Sequence, residues 1–312
     1  MKRYFFIVLF FSQIVSAQRS VVIDTSFTIQ STFEKEVKKR PYIKIAAVQL
    51  SGKIKVHKNI PYRNIDGREL FLDIFFPDQQ DKLVPAVLLV FGGGWKSGDR
   101  TQNYAMATTL ANNGYIAVTA DYRLSGEAIY PAAIYDLKSA IRCMRALAKK
   151  YPIDTSRIAV MGTSAGGQLA TLIGTTNRNK NFEDTIGCKN SSSVQAVIDI
   201  DGILAFHHPE SQESTSASLW LGGTYEQKPE MWEEASALNH VDKNTVPFLF
   251  LNSSLPRFHA GRNDMIAKMN KLGIYSEVHE FPDTPHPFWF FYPWFDPMMK
   301  YAIDFLNRTF KK

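Results

Sequence analysis

The stretch Gly162-Thr163-Ser164-Ala165-Gly166-Gly167 concentrates residue types that can do chemistry. Arg157-Ile158-Ala159-Val160-Met161 leads into it as a short apolar, β-leaning run, and Gln168-Leu169-Ala170-Thr171-Leu172-Ile173 leaves it with helical character. A Gly-x-Ser-x-Gly between a strand and a helix is a nucleophile elbow. Small residues flank a serine whose backbone is forced into a sharp turn, so its hydroxyl stands clear of the sheet. Elsewhere the same five residues would be an ordinary Gly/Ser-rich turn, so context decides.

Two further stretches offer partners for Ser164. Gly92-Gly93-Gly94-Trp95 follows the apolar run Val84 to Phe91. Backbone without side chains can point N–H groups at a developing oxyanion there, and Gly93, Gly94 and the N–H of Ala165 form the expected hole. His286 is one of seven histidines and follows the last predicted strand in Phe281-Pro282-Asp283-Thr284-Pro285-His286. That location suits a general base; His57, His207, His208, His240 and His279 have no comparable place.

The elements that must hold these groups read as an α/β pattern. Ile54-Lys55-Val56 and Leu70 to Phe76 are strands about the turn Asn64-Ile65-Asp66-Gly67, and Val84 to Phe91 has the unbroken apolar character of a strand buried on both faces. A helix over Tyr104 to Asn112, a strand over Ile116 to Ala120 and a helix opened by Pro131 lead to the elbow strand. Beyond the elbow helix come strands over Val194 to Ile200, Val246 to Leu251 and Tyr275 to Phe281, a helix over Asp264 to Leu272, and a closing helix over Tyr301 to Phe310. The alternation predicts a mostly parallel sheet with helices on both faces, its functional groups beyond the carboxyl ends of the strands. No repeat or low-complexity linker divides the chain. We therefore expect a 62–312 catalytic domain with a small insertion after the sixth strand, near Ala205 to His240, preceded by an 18–61 arm that includes a helix within Ser26 to Arg40.

Residues 1–17 read as a signal peptide: Lys2-Arg3, an apolar run from Phe5 to Phe11, and the small-residue site Val15-Ser16-Ala17, with cleavage after Ala17. That run is too short to span a membrane. The expectation is a secreted or periplasmic protein without stable membrane insertion. The formal charge of +6, to which Lys2 and Arg3 contribute two, is a mild bias and not a nucleic-acid signature. Cys143 and Cys188 are the only cysteines and either pair or stay apart as thiols. No Cys/His spacing marks a zinc site, and no metal or other cofactor is called for. Nothing in the sequence specifies an oligomeric state.

In their joint order these features resemble the α/β-hydrolases, specifically the secreted bacterial carbohydrate esterases related to acetylxylan, feruloyl and pectin esterases. The resemblance rests on Gly92 to Trp95, Asp121-Tyr122-Arg123-Leu124-Ser125, Pro131-Ala132-Ala133 leading to Asp136, Gly162 to Gly167, and Pro285-His286. It spans most of the chain from about Tyr62 onward. It implies Ser164 as nucleophile, His286 as base, an acyl-enzyme resolved by water, and an esterified carbohydrate as substrate. Asp136 is expected to make a structural contact to an arginine. Two departures stand out. Phe91 occupies a position that is often histidine in such esterases, and Asn252-Ser253-Ser254-Leu255 occupies the place of the usual triad acid.

An imidazole base needs an orienting partner. Asp201, ending Ile198-Asp199-Ile200-Asp201, is preferred, with Asp264 as the alternative; Asp283 is expected to shape the turn before His286. Among the aromatics near the proposed base and hole, Trp95 and Trp289 are the expected substrate contacts and the remainder packing. Arg257 and Arg262 either clamp a substrate carboxylate, such as galacturonate, or cap the following helix and pair with Asp264. The expected function is an exported serine hydrolase removing acetyl, feruloyl or methyl esters from plant-type polysaccharides. The alternatives are a hydrolase-fold carbohydrate binder with weak or lost turnover, made credible by the missing acid, and a serine peptidase of the same fold.

Overall fold

The computed structural model describes residue 24 and residues 26–78, 82–184, 186–212 and 215–311. The expected signal peptide lies outside them. Helix α1 (Ile29–Glu36) starts at a reciprocal cap in which Thr28 and Ser31 exchange hydrogen bonds. Strands β1 (Ile54–Ile65) and β2 (Arg68–Pro77) then form an antiparallel hairpin whose turn residues, Asp66 and Gly67, both have positive φ.

From there strand and helix alternate: β3 (Val84–Val90), α2 (Tyr104–Asn112), β4 (Ile116–Ala120), α3 (Ala132–Ala146), β5 (Ile153–Thr163), α4 (Ala165–Thr175) and β6 (Ala196–Ile200). The insertion contributes α5 (Thr215–Leu221) and α6 (Pro229–Ala235). The chain finishes with β7 (Phe248–Ser253), α7 (Arg262–Lys271), β8 (Ser276–Phe281) and α8 (Phe295–Phe310). The order across the sheet is β1-β2-β4-β3-β5-β6-β7-β8, parallel from β4 through β8. This is the expected α/β-hydrolase fold.

Every residue of β3, β4 and β6 is buried, which explains why these strands are apolar apart from Thr119 in β4 and Asp199 in β6. Leu88 stands level with Val118 on one side and Val160 on the other. One face of the sheet packs Leu137 and Ile141 of α3, Leu169 and Leu172 of α4, Met265 and Met269 of α7, and Trp220 and Trp232 of the insertion. The opposite face packs Met106 and Leu110 of α2 and Phe305 and Leu306 of α8, with Phe33 of α1 against them. Burying a side chain of this size stabilises the fold by about 1.5–3 kcal/mol, so the strand ends form a rigid rim.

Three details differ from the reading of the sequence. β1 begins at Ile54 and runs straight through the expected arm boundary at 61/62. The arm is also tied to the far end of the chain, because Lys44–Ile45 pairs antiparallel with Phe291–Tyr292. The closing helix starts at Phe295, earlier than expected, because Phe295, Met298 and Met299 continue the buried stripe of Ala302, Phe305 and Leu306. Cys143 on α3 and Cys188 form a disulfide with their Cα atoms 5.4 Å apart. Asp136, fully buried, accepts from Arg123 at 2.9 Å and pairs with Arg63 at 3.0 Å, so it braces α3.

Candidate active site

Strand β5 ends and α4 begins across a single residue, Ser164, at φ 52° and ψ −121°. A side-chain-bearing residue in that region is strained. The turn survives because its neighbours lack side chains. A Cβ on Gly162 would lie 2.0 Å from the Gly166 carbonyl oxygen, and one on Gly166 would lie 2.3 Å from that of Val90. The Ser164 N–H donates to Ile200 O at 2.8 Å, tying the turn to β6. Its hydroxyl does not cap α4.

That hydroxyl lies 2.8 Å from His286 Nε2. On the other side of the ring, Nδ1–H donates to Asp201 Oδ2 at 2.9 Å, and Asp201 Oδ1 accepts from the Ser253 N–H at 2.7 Å. A carboxylate can only accept, so this arrangement leaves Nε2 free to accept the serine proton. The place after β7 where a carboxylate is usually expected thus supplies an N–H that orients a carboxylate from β6. Asp201 itself sits at φ 51° in a turn held by Asp199 Oδ1, which accepts from the Gly202 N–H at 3.0 Å. Burial, with the adjacent Asp201 charge, pushes the Asp199 carboxyl well above the usual range.

The imidazole is held on its faces as well. Phe258 stacks on it with centroids 3.4 Å apart, and Trp289 meets it edge-on at 4.9 Å. Asp264, the alternative acid, is elsewhere: it lies 3.1 Å from His208 Nε2 with 66% of its side chain exposed. Asp283 has φ 57° in the turn leading to His286.

The glycine loop lies against the elbow. Gly93, Gly94 and Trp95 have successive positive φ values of 133°, 59° and 58°. A Cβ on Gly93 would fall 2.1 Å from Ser97 O, so the turn closed by Ser97 N–H to Gly93 O at 3.1 Å requires glycine there. Gln168 on α4 accepts from the Trp95 indole at 3.0 Å and donates to Ala235 O at 2.9 Å, linking loop, elbow helix and insertion. Gly93, Gly94 and Ala165 border the same cleft as Ser164, of about 340 Å³. The first-turn N–H groups of α4 lack intrahelical partners, as at any helix start. Phe91, in place of the histidine, is buried and stacks on Tyr122, whose hydroxyl donates to Phe91 O at 3.0 Å.

Of the expected substrate contacts, Arg257 lines the cleft. Trp95 borders it, but its indole is buried and stacks on Trp220, so it is mainly packing. Trp289 is a correction: it is fully buried and supports His286 from behind, because an aromatic run next to a rigid loop fills the core beneath that loop. Arg262 is another: it is buried against Asn252 at 3.0 Å and Glu280 at 2.9 Å, bracing the end of β7. Three cleft residues have no signal in the sequence. Phe27 arrives from the arm, anchored by Gln102 Nε2 donating to its carbonyl at 3.0 Å and by contact with Phe290. Ser216 comes from α5, and Phe258 from the loop after β7. Among the described residues, no group of three or more His, Cys, Asp or Glu comes together as metal ligands would, and no helix is long and apolar enough to cross a membrane.

Comparison with known proteins gives a consistent picture. The BD-FAE family model matches residues 72–255, leaving Phe27 before it and His286 after it. "Esterase LipC" of Mycobacterium tuberculosis is 32% identical over 183 residues, 57% of this chain and 45% of its own length. The chain spans about half the length of the curated mycobacterial relatives it matches. A solved "truncated form of carbohydrate esterase from gut microbiota" superposes with TM-score 0.74 at 25% identity, covering 86% of this chain and all of its own. A "bifunctional GH43-CE" from Bacteroides eggerthii does so with TM-score 0.69 at 26% identity, over 84% of this chain and 36% of its own.

Proposed function

The chain belongs to the BD-FAE family, an esterase family of the α/β-hydrolase fold, and on that premise we propose that it hydrolyses small carboxylic esters of carbohydrates through an acyl-enzyme on Ser164. The observation that carries the reading is the unbroken chain of hydrogen bonds from Ser164 Oγ through His286 to Asp201. In the first half-reaction His286 Nε2 takes the hydroxyl proton as Ser164 Oγ attacks the ester carbonyl. The oxyanion is met by the N–H of Ala165 and those of Gly93 and Gly94, each donor being worth roughly two to three orders of magnitude in rate. Collapse expels the sugar alcohol, which receives the proton from His286. Water then attacks the acyl-enzyme by the same route, releasing the acid and regenerating the serine.

A cleft of about 340 Å³ suits a short acyl group. The carbohydrate side of the proposal draws on the likeness to the solved carbohydrate esterase. Export is part of the same proposal, supported by the leader-like residues 1–17 and by the Cys143–Cys188 disulfide, which persists in oxidising compartments. The test is hydrolysis of 4-nitrophenyl acetate and of acetylated xylo-oligosaccharides, with pre-steady-state recording. A burst of nitrophenol equal to the enzyme concentration is expected where deacylation is slow. Absence of turnover on both substrates would sink the proposal.

Phe27 gives a second expectation. As an apolar wall it holds substrate and transition state alike, so Phe27→Ala should raise KM for the aryl ester about three- to tenfold while kcat stays within about twofold. Steady-state kinetics check this, and a selective fall in kcat would exclude a wall function.

A further inference from the structure

Resting on the ester-hydrolase reading, we infer that Arg257 is an anion-recognition residue of the cleft, and that the substrates carry a free carboxylate close to the scissile acyl ester. Arg257 is exposed on the cleft wall, and none of the ion pairs among the described residues involves it. Its guanidinium lies 4.2 Å from the centroid of Phe258, whose ring stacks on His286 at 3.4 Å. A cation over an aromatic face gives up part of its motion while keeping its in-plane N–H donors free. The column of Arg257, Phe258 and His286 therefore holds a planar cation at a fixed offset from the reacting hydroxyl.

The charges around it favour an anion. Among the described residues, Asp201 is the only carboxylate lining the cleft, and both of its oxygens are used, one by His286 and the other by Ser253. Lys96, exposed on the same cleft, adds a second cation, with Asp24 of the arm near enough to feel its charge. Arg262, by contrast, is spent on Asn252 and Glu280. The loop that would have carried a catalytic acid thus presents a cation. Guanidinium pairs with carboxylate in a two-pronged geometry. The chemistry that fits is an acyl ester on a hydroxyl of an acidic sugar. A methyl ester of the same carboxyl would remove the charge that Arg257 reads.

The experiment compares kcat/KM on an O-acetylated uronate-containing oligosaccharide with that on an O-acetylated neutral xylo-oligosaccharide, at low and high salt, for wild type, Arg257→Gln and Arg257→Lys. Wild type should favour the anionic substrate about tenfold or more, with the preference shrinking as salt screens the pair. Arg257→Gln should lower the anionic-to-neutral ratio about tenfold, and Arg257→Lys should restore part of it. A ratio near one in wild type, or one unmoved by Arg257→Gln, overturns the inference while leaving ester hydrolysis standing. Failure of wild type to cleave either oligosaccharide or 4-nitrophenyl acetate overturns the ester-hydrolase reading and this inference with it.

Discussion

Ser164→Ala is expected to lower kcat on 4-nitrophenyl acetate by at least about 10⁴-fold while leaving the fold intact. The size of the effect follows from what the hydroxyl does. Its oxygen is the atom proposed to bond the acyl carbon, and without it neither the acyl-enzyme nor the serine-to-histidine proton transfer exists. What remains is whatever rate the oxyanion donors and the cleft give to direct attack by water. Alanine at φ 52° is no more strained than serine, and the tie that sets the turn, from the Ser164 N–H to Ile200 O, is a backbone bond that the substitution keeps. Thermal unfolding within a few degrees of wild type, beside a rate near background, is the expected pair of readings. A variant retaining a tenth of the wild-type rate would mean that Ser164 is not the nucleophile.

How far the fold could be read from the sequence varies along the chain. The central strands were legible because strands buried on both faces are nearly all apolar: Val84 to Val90 is so without interruption, and Ile116 to Ala120 is so but for Thr119. The elbow was legible because its glycines answer a steric demand that no other residue meets. The arm was poorly legible for the opposite reason: α1 carries few buried residues, and its place depends on Phe33 and Phe27 reaching partners more than 250 positions away, Phe291 and Phe290. Pairing of Cys143 with Cys188 is likewise a fact of tertiary structure. Spacing alone leaves it open.

In the candidate site, the residues set by local geometry were easier to find than those set by packing. Ser164 and Gly93 occupy turns with recognisable sequences. Phe258 does not, since its contact with His286 arises only when the loop after β7 folds over the loop after β8. Trp289 and Arg262 show the reverse error. Their residue types suit sugar and carboxylate recognition, yet burial turns the first into support for His286 and the second into a brace for Asn252 and Glu280. Residue type says what a side chain can do, and only its surroundings say whether it faces a ligand.

The two acid candidates make the sharpest comparison. Asp201→Asn is expected to reduce kcat by about 10³- to 10⁴-fold, whereas Asp264→Asn should leave it within about twofold. With aspartate at 201, the carboxylate at 2.9 Å accepts from Nδ1–H and so leaves Nε2 as the acceptor facing Ser164. An amide can instead turn its N–H₂ toward Nδ1, which moves the ring proton to Nε2 and removes the base; the imidazolium formed during attack also loses its counter-charge. Asparagine tolerates the left-handed backbone at 201 better than most residues, and its side-chain oxygen can still accept from the Ser253 N–H. The loss is therefore expected in kcat with little change in unfolding temperature. Asp264 faces solvent and pairs with His208, an exposed contact worth about 0–1 kcal/mol, and no bond links it to His286. Measuring kcat and unfolding temperature for both variants decides the matter: a large loss from Asp264→Asn with a small one from Asp201→Asn would reverse the assignment of the acid.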